Sequence, residues 1–479
     1  MSSTVQKRDL HYIHHIIVLI IIFGAHLIPT FSTVTREGVV ILGSFIGAVY
    51  GWSTINMLWP SIMAIFSVGL VKGMNAMIAA SLGNGTTWML MLFFIIVGYL
   101  NNNNIPNTLS SFIMTRKIFS KNPYLLFFGF FIGAYICAFL SGAVAVIFFC
   151  TVAFSACEVA GVKPHTKTPT LLGIGVVISA LMMSVTIPFK STGLMITSAW
   201  TTTSGIQVDY LSWMAISFII TLLVMVWYLI ICKVVFRIDT TPFKGIDNEK
   251  LGIKFEGFTK QQKIGFGVLL WVVADILCAS VLPSDFILTK FLIKIGAFGQ
   301  VLIPLTVAMF IRVDGEPVID FQKIAAKHFP WDVLFLIGYI MILSSYMMAD
   351  STGLKAFIVE LISPLTNLGL FGFLLVLFAI ITALTNFANN AVCCLAVLPI
   401  IYAYTAIDSN LNGTAAVFAL LMVSHFAFLT PGATPMAALM IGRSDWVKSN
   451  MIWKYGLIII VLLFIVMVPA AYLLGTIVF

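Results

Sequence analysis

The sequence predicts an all-α polytopic membrane protein. It would have about 11 transmembrane helices plus two re-entrant hairpins, in two inverted repeats with discontinuous helices. Three observations carry this. The 479 residues are 60% hydrophobic and 9% charged, with a mean hydropathy of +1.07, whereas soluble domains are about 25% charged. Apolar runs of spanning length recur along the whole chain. Two stretches inside apolar sequence, TNFANNAV at 385–392 and TPGATPMAALMIG at 430–442, are built of small, amide and hydroxyl residues. Backbone in lipid must satisfy its own polar groups, so such breaks belong where protein or a wet cavity surrounds them.

Taken in order, spans are expected near 11–30, 38–58, 59–73, 86–101, 210–236, 263–282, 289–311, 331–349 and 451–477. The first apolar run lacks a convincing small-residue cleavage site and reads as a retained helix. Two longer runs are broken by a polar tip: 123–160 around Ser141-Gly142-Ala143, and 369–405 around Asn389-Asn390. Both have the length of a re-entrant hairpin. Segments 170–205 and 414–442 are interrupted at Pro188–Gly193 and Pro431–Pro435, as discontinuous helices would be. The seven cysteines show no zinc or disulfide spacing and read as small apolar residues.

The net charge of +8 reports topology rather than nucleic-acid binding. Basic residues gather at 116–121, 233–263, 312–327 and 443–454, and the loops between are poor in Lys and Arg. The positive-inside rule then places the N-terminus, the central loop and the 443–454 loop in the cytoplasm, and the C-terminus outside. The expected location is the cell (inner) membrane, multi-pass, in contact with lipid.

The halves answer one another. AFLSGAVAV at 138–146 matches NFANNAVCC at 386–394, and TIPFKSTGLMI at 186–196 matches TPGATPMAALMI at 430–441. The expected organisation is N-terminal helices over 1–85, for scaffold and dimerisation, then a first repeat over 86–236. That repeat carries hairpin tip 141–143 and broken helix 186–194. A cytoplasmic linker over 237–262 and scaffold helices over 263–330 follow. The second repeat covers 331–479, with hairpin tip 388–391 and broken helix 430–437. An odd number of crossings per repeat would invert one against the other and put a binding site between them near the midplane.

Ions crossing lipid lose their hydration, and the protein must replace it. Hard cations want oxygen ligands, and anions want N–H, amide and hydroxyl donors. The second half supplies both: the Thr385 and Thr434 hydroxyls, the Asn389 and Asn390 amides, and carbonyls near Ala388 and Ala433.

These motifs resemble the divalent anion/sodium symporter family. That family carries Ser-Asn-Thr at two hairpin tips and Gly/Ala-Thr-Pro in two broken helices. TNFANNA at 385–391 lies on its Thr-Glu-Phe-x-Ser-Asn-Thr pattern, and Ala433-Thr434-Pro435 is identical to its Ala-Thr-Pro. The resemblance implies that Thr385, Ala388, Asn390 and Ala433 hold a sodium ion, and that Asn389, Asn390, Thr434 and Pro435 face the substrate. It also implies a homodimer. The first half is degenerate, with Ser141-Gly142-Ala143 at the tip and Pro188–Gly193 lacking Gly-Thr-Pro. Ser141, Lys190 and Ser191 are the first-half substrate candidates. A Lys at membrane depth costs at least ~2.5 kcal/mol. The Lys190 ammonium is therefore expected to replace a first sodium ion, the alternative being a side chain that snorkels to an interface.

The expected activity is sodium-coupled secondary transport of small organic dianions of the C4-dicarboxylate kind, by alternating access. Sodium-independent exchange and sulfate transport are the rivals. No HExxH, GxSxG or paired intramembrane acid suggests an enzyme, and no charge ring or carbonyl filter suggests a channel. His425 reads as a packing residue.

Overall fold

The computed structural model describes residues 2–479 other than 84, 248, 314, 348 and 406. It describes their side chains other than those of 2–11, 86, 191, 328, 344, 345 and 366. Among the described residues the regular elements are helices, apart from a two-stranded turn at Arg312–Val313 and Glu316–Pro317. The N-terminal helices are α1 Ser2–Gly24, α2 Arg36–Thr54, α3 Leu58–Lys72 and α4 Met74–Leu82. The stretch expected as the first repeat holds α5 Gly85–Asn102, α6 Ile105–Met114, α7 Pro123–Ala138, α8 Gly142–Val159, α9 Lys167–Thr186, α10 Ser191–Ser204 and α11 Tyr210–Val234. Next come α12 Lys260–Val281, α13 Ile287–Phe310 and α14 Phe321–His328. The stretch expected as the second repeat holds α15 Trp331–Met347, α16 Leu354–Thr366, α17 Gly369–Leu384, α18 Asn390–Thr405, α19 Gly413–Ser424, α20 Pro435–Ile441 and α21 Ser449–Val478. Among the described residues six helices are long and apolar enough to span, or nine if each of three bent pairs is one span, with shorter apolar helices besides.

Why the breaks fall where they do is local chemistry. Pro188 has no N–H to continue α9, and the Pro188 carbonyl instead accepts from the Thr197 hydroxyl at 3.0 Å. Gly193 lets α10 pass close to α9, since a Cβ there would lie 2.4 Å from the Ile187 carbonyl oxygen. The second break is wider than the proline pattern suggests. It runs from His425 to Thr434, because the backbone of Phe426, Phe428 and Leu429 is bonded to the Asn386 side chain instead of to a helix.

The two broken helices run antiparallel through the core. All of α19 is buried, as is nearly all of α9. At one end the His165 N–H, just before α9, donates to the Trp446 carbonyl, just after α20, at 2.9 Å. At the other end the Trp200 indole N–H of α10 donates to Thr414 Oγ1 of α19 at 3.2 Å. The hairpins enter from opposite ends. The open end of α7–α8 sits at the first end, where the Phe127 and Phe243 rings are 5.0 Å apart and Lys167 donates to the Phe236 and Arg237 carbonyls. The open end of α17–α18 is closed by the stacked Phe373 and Tyr404 rings, 3.8 Å apart, and Tyr402 lies beside Trp200. The repeats are therefore inverted. The tip halves cross over: α20 packs on α8, and α10 packs on α18.

Three of the basic loops share one end. Phe112, next to Arg116, meets Phe255 of the central loop at 5.1 Å, and Arg443 donates to Thr151 at 3.0 Å. Phe479 lies at the opposite end, 5.7 Å from the Trp213 ring.

Candidate functional site

The tip of the second hairpin is clamped onto the second helix break by one side chain. Asn386 Oδ1 accepts from the Phe428 and Leu429 N–H groups, each at 3.0 Å. Its Nδ2 donates to the Thr382 and Phe426 carbonyls at 2.8 and 2.9 Å. Two acceptor and two donor positions of the amide are thus all used. The Thr430 hydroxyl adds a bond to the Asn386 carbonyl at 2.5 Å.

This clamp positions a cavity of about 350 Å³ between the second hairpin tip, both broken helices and α15. Asn389, Asn390, Thr434 and Pro435 line it, joined by Thr192, Ser184, His425 and Asp332. The volume falls within the range of small-molecule sites, about 300–1,000 Å³. Asn390 opens the 16-residue helix α18, whose N-terminal N–H groups favour anions. The Asn390 Oδ1 atom is buried without a hydrogen-bond partner. Thr434 caps α20 by accepting from the Ala437 N–H at 3.0 Å, and its hydroxyl donates to the Ala427 carbonyl at 3.3 Å. His425 Nδ1 bonds to the Leu421 carbonyl at 2.8 Å; a carbonyl only accepts, so that nitrogen carries the hydrogen. Asp332 is exposed in the first turn of α15, where the helix dipole favours a carboxylate.

Lys190 stands apart from this cavity. It occupies the N-cap position of α10, in register with Thr434 at the N-cap of α20. Its ammonium donates to the Phe139 carbonyl at the first hairpin tip and lies 5.5 and 5.9 Å from the Phe139 and Phe93 ring centres. It lines a second cavity of about 120 Å³. Ser141 lines neither cavity; it caps α8 by accepting from the Val144 N–H at 3.4 Å. The side chain of Ser191 lies outside the described residues.

Of the expected sodium ligands, Asn390 alone lines the larger cavity. Thr385 is fully buried at the C-cap of α17, with its hydroxyl 3.3 Å from the Thr382 carbonyl. Ala388 and Ala433 lie in the two non-helical stretches that the Asn386 clamp brings together. Among the described residues, no backbone hydrogen bond is seen to either alanine carbonyl.

Residues 17–427 match the citrate transporter family, CitMHS. The chain belongs to that family. Among curated proteins none matches it. Among solved structures, the YdaH transporter of Alcanivorax borkumensis, described as having an unusual topology, is similar at 14% identity. The likeness covers 85% of this chain and 88% of that one with a TM-score of 0.52, and it shows the fold alone.

Several site residues of this citrate transporter family member escaped the sequence reading. Asn386 stands inside TNFANNA, where an amide in an apolar run was the available signal. Thr192 sits within the Pro188–Gly193 break. Asp332 follows Pro330-Trp331, a helix-start signature. His425, read as packing, does cap α19, and it also lines the cavity.

Proposed function

We propose that this member of the citrate transporter family carries small organic polyanions, di- and tricarboxylates, across the cell membrane by alternating access, coupled to at least one sodium ion. The observation that supports this most is the convergence of Asn389, Asn390, Thr434 and Thr192 on one cavity between two inverted broken helices. Amide and hydroxyl donors with a helix N-terminus suit carboxylates. Thr385, Ala388, Asn390 and Ala433 would hold the sodium ion, as the divalent anion/sodium symporter resemblance implies. The partnerless Asn390 Oδ1 fits such a hard cation. Bound there, sodium would supply positive charge beside the anion. The basic loops would face the cytoplasm, and two copies would form the dimer.

A second reading is sodium-independent exchange, favoured by the built-in charge of Lys190 at the first hairpin tip. The test is uptake of labelled succinate and citrate into proteoliposomes, with and without an inward sodium gradient and with and without internal substrate. Sodium-driven accumulation supports the symporter. Uptake only against internal substrate makes it an exchanger. Uptake of neither anion by folded protein overturns the substrate class.

A further inference from the structure

Two cavities adjoin at the centre of the molecule. The larger is lined by Asn389, Asn390 and Thr434, and the smaller holds Lys190. Ser184 and Met436 line both. The Met436 methyl group lies 2.6 Å from the point a Cβ would take on Gly142, so its side chain is laid across the first hairpin tip. The contact exists because residue 142 has no side chain. A methionine is unbranched, with three rotatable bonds and a soft thioether, so it can re-pack at small cost.

Lys190 is unusual in what it lacks. Among the described residues no carboxylate lies within ion-pair distance of it; the ion pairs seen join Lys72 to Glu37, Lys290 to Asp285 and Arg443 to Asp445. Its neighbours are a carbonyl and two ring faces, which orient an ammonium without neutralising it. An unneutralised cation at membrane depth is costly, and such residues face substrate pathways.

We infer that the two cavities are halves of one binding site divided by the Met436 side chain, and that the Lys190 compartment receives the third carboxylate of a tricarboxylate. A dicarboxylate fits on the amide and hydroxyl donors of the larger cavity. A tricarboxylate displaces Met436 and pairs its remaining carboxylate with the ammonium. Lys190 and Met436 then set the preference between the two classes. This rests on the carboxylate-transport reading above.

The experiment is calorimetric binding of citrate and of succinate to the purified full-length chain. Lys190→Met is expected to weaken citrate about tenfold or more, the worth of one charged hydrogen bond, and to change succinate much less. Lys190→Arg should restore most of the citrate affinity. Met436→Ala should raise the preference for citrate over succinate, and that gain should vanish when combined with Lys190→Met. Equal weakening of both anions by Lys190→Met, or a Met436→Ala gain that persists without Lys190, overturns the inference. Succinate binding by Lys190→Met is its own folding control. Should that variant not fold, an unchanged anion preference in Met436→Ala overturns the inference alone. Wild-type protein that binds neither anion contradicts the functional reading instead.

Discussion

Asn386 Oδ1 accepts the Phe428 N–H at 3.0 Å across 42 residues of sequence, fixing the second hairpin tip to the second helix break. A helix break in the apolar core exposes backbone donors that water cannot reach. One amide satisfies two of them and two carbonyls as well. The clamp therefore decides where α19 stops and how the cavity-lining Asn389 and Asn390 are held.

Replacing Asn386 by Ala should orphan the Phe428 and Leu429 N–H groups. At about 1–3 kcal/mol for each buried unsatisfied donor, the expected loss is about 3 kcal/mol or more. Thermal unfolding in detergent would read it as a marked fall in melting temperature. A change within the scatter of surface substitutions would show that the clamp is dispensable.

Gly193 makes a second, independent stability prediction. Its neighbour is the Ile187 backbone carbonyl, which cannot rotate away as a side chain could. Gly193→Ala should destabilise by about 1–3 kcal/mol, the usual cost of overpacking. Uptake per folded molecule would show whether α10 has also shifted. Wild-type stability and uptake together would contradict the close approach.

The sequence showed most of the frame because hydropathy and helix-breaking chemistry are local. The runs predicted at 210–236 and 263–282 emerge as Tyr210–Val234 and Lys260–Val281, and the Pro188 break lies where the proline stands. The break expected at Pro431–Pro435 opens earlier, at His425, since the residues that open it are held by Asn386 from another helix. Short helices such as Ile105–Met114 and Leu354–Thr366 escaped because neither is long enough to span. At the site, Asn389, Asn390 and Thr434 were legible as polar residues in apolar sequence. Asp332 and Met436 were not, because an acid in a helix's first turn and a methionine in an apolar helix look ordinary until the fold brings them to a cavity.

The turn after α20 carries a pH signature. Arg443 donates to Asp445 through two nitrogens, at 2.9 and 3.1 Å, and this bond holds the carboxyl below its ordinary range. A carboxyl depressed in the folded state stabilises above its unfolded pKa and loses that contribution as pH falls through the folded value. Asp445 is more than half exposed, so solvent screening leaves the pair at about 1 kcal/mol or less. Asp445→Asn should thus melt slightly below wild type at neutral pH, and the difference should close as pH falls into the acid carboxylate range. A difference that widens with acid would contradict the assignment.

Asn390 bears most directly on the central claim, because it opens α18, lines the cavity and leaves its buried Oδ1 unpaired. The decisive measurement is counterflow of labelled citrate into proteoliposomes loaded with unlabelled citrate, for wild type and Asn390→Ala. The account predicts transient accumulation by wild type, and a rate at subsaturating citrate about tenfold lower or more in the variant, the worth of one hydrogen bond to a charged group. Counterflow at the wild-type rate in a folded Asn390→Ala protein would contradict it.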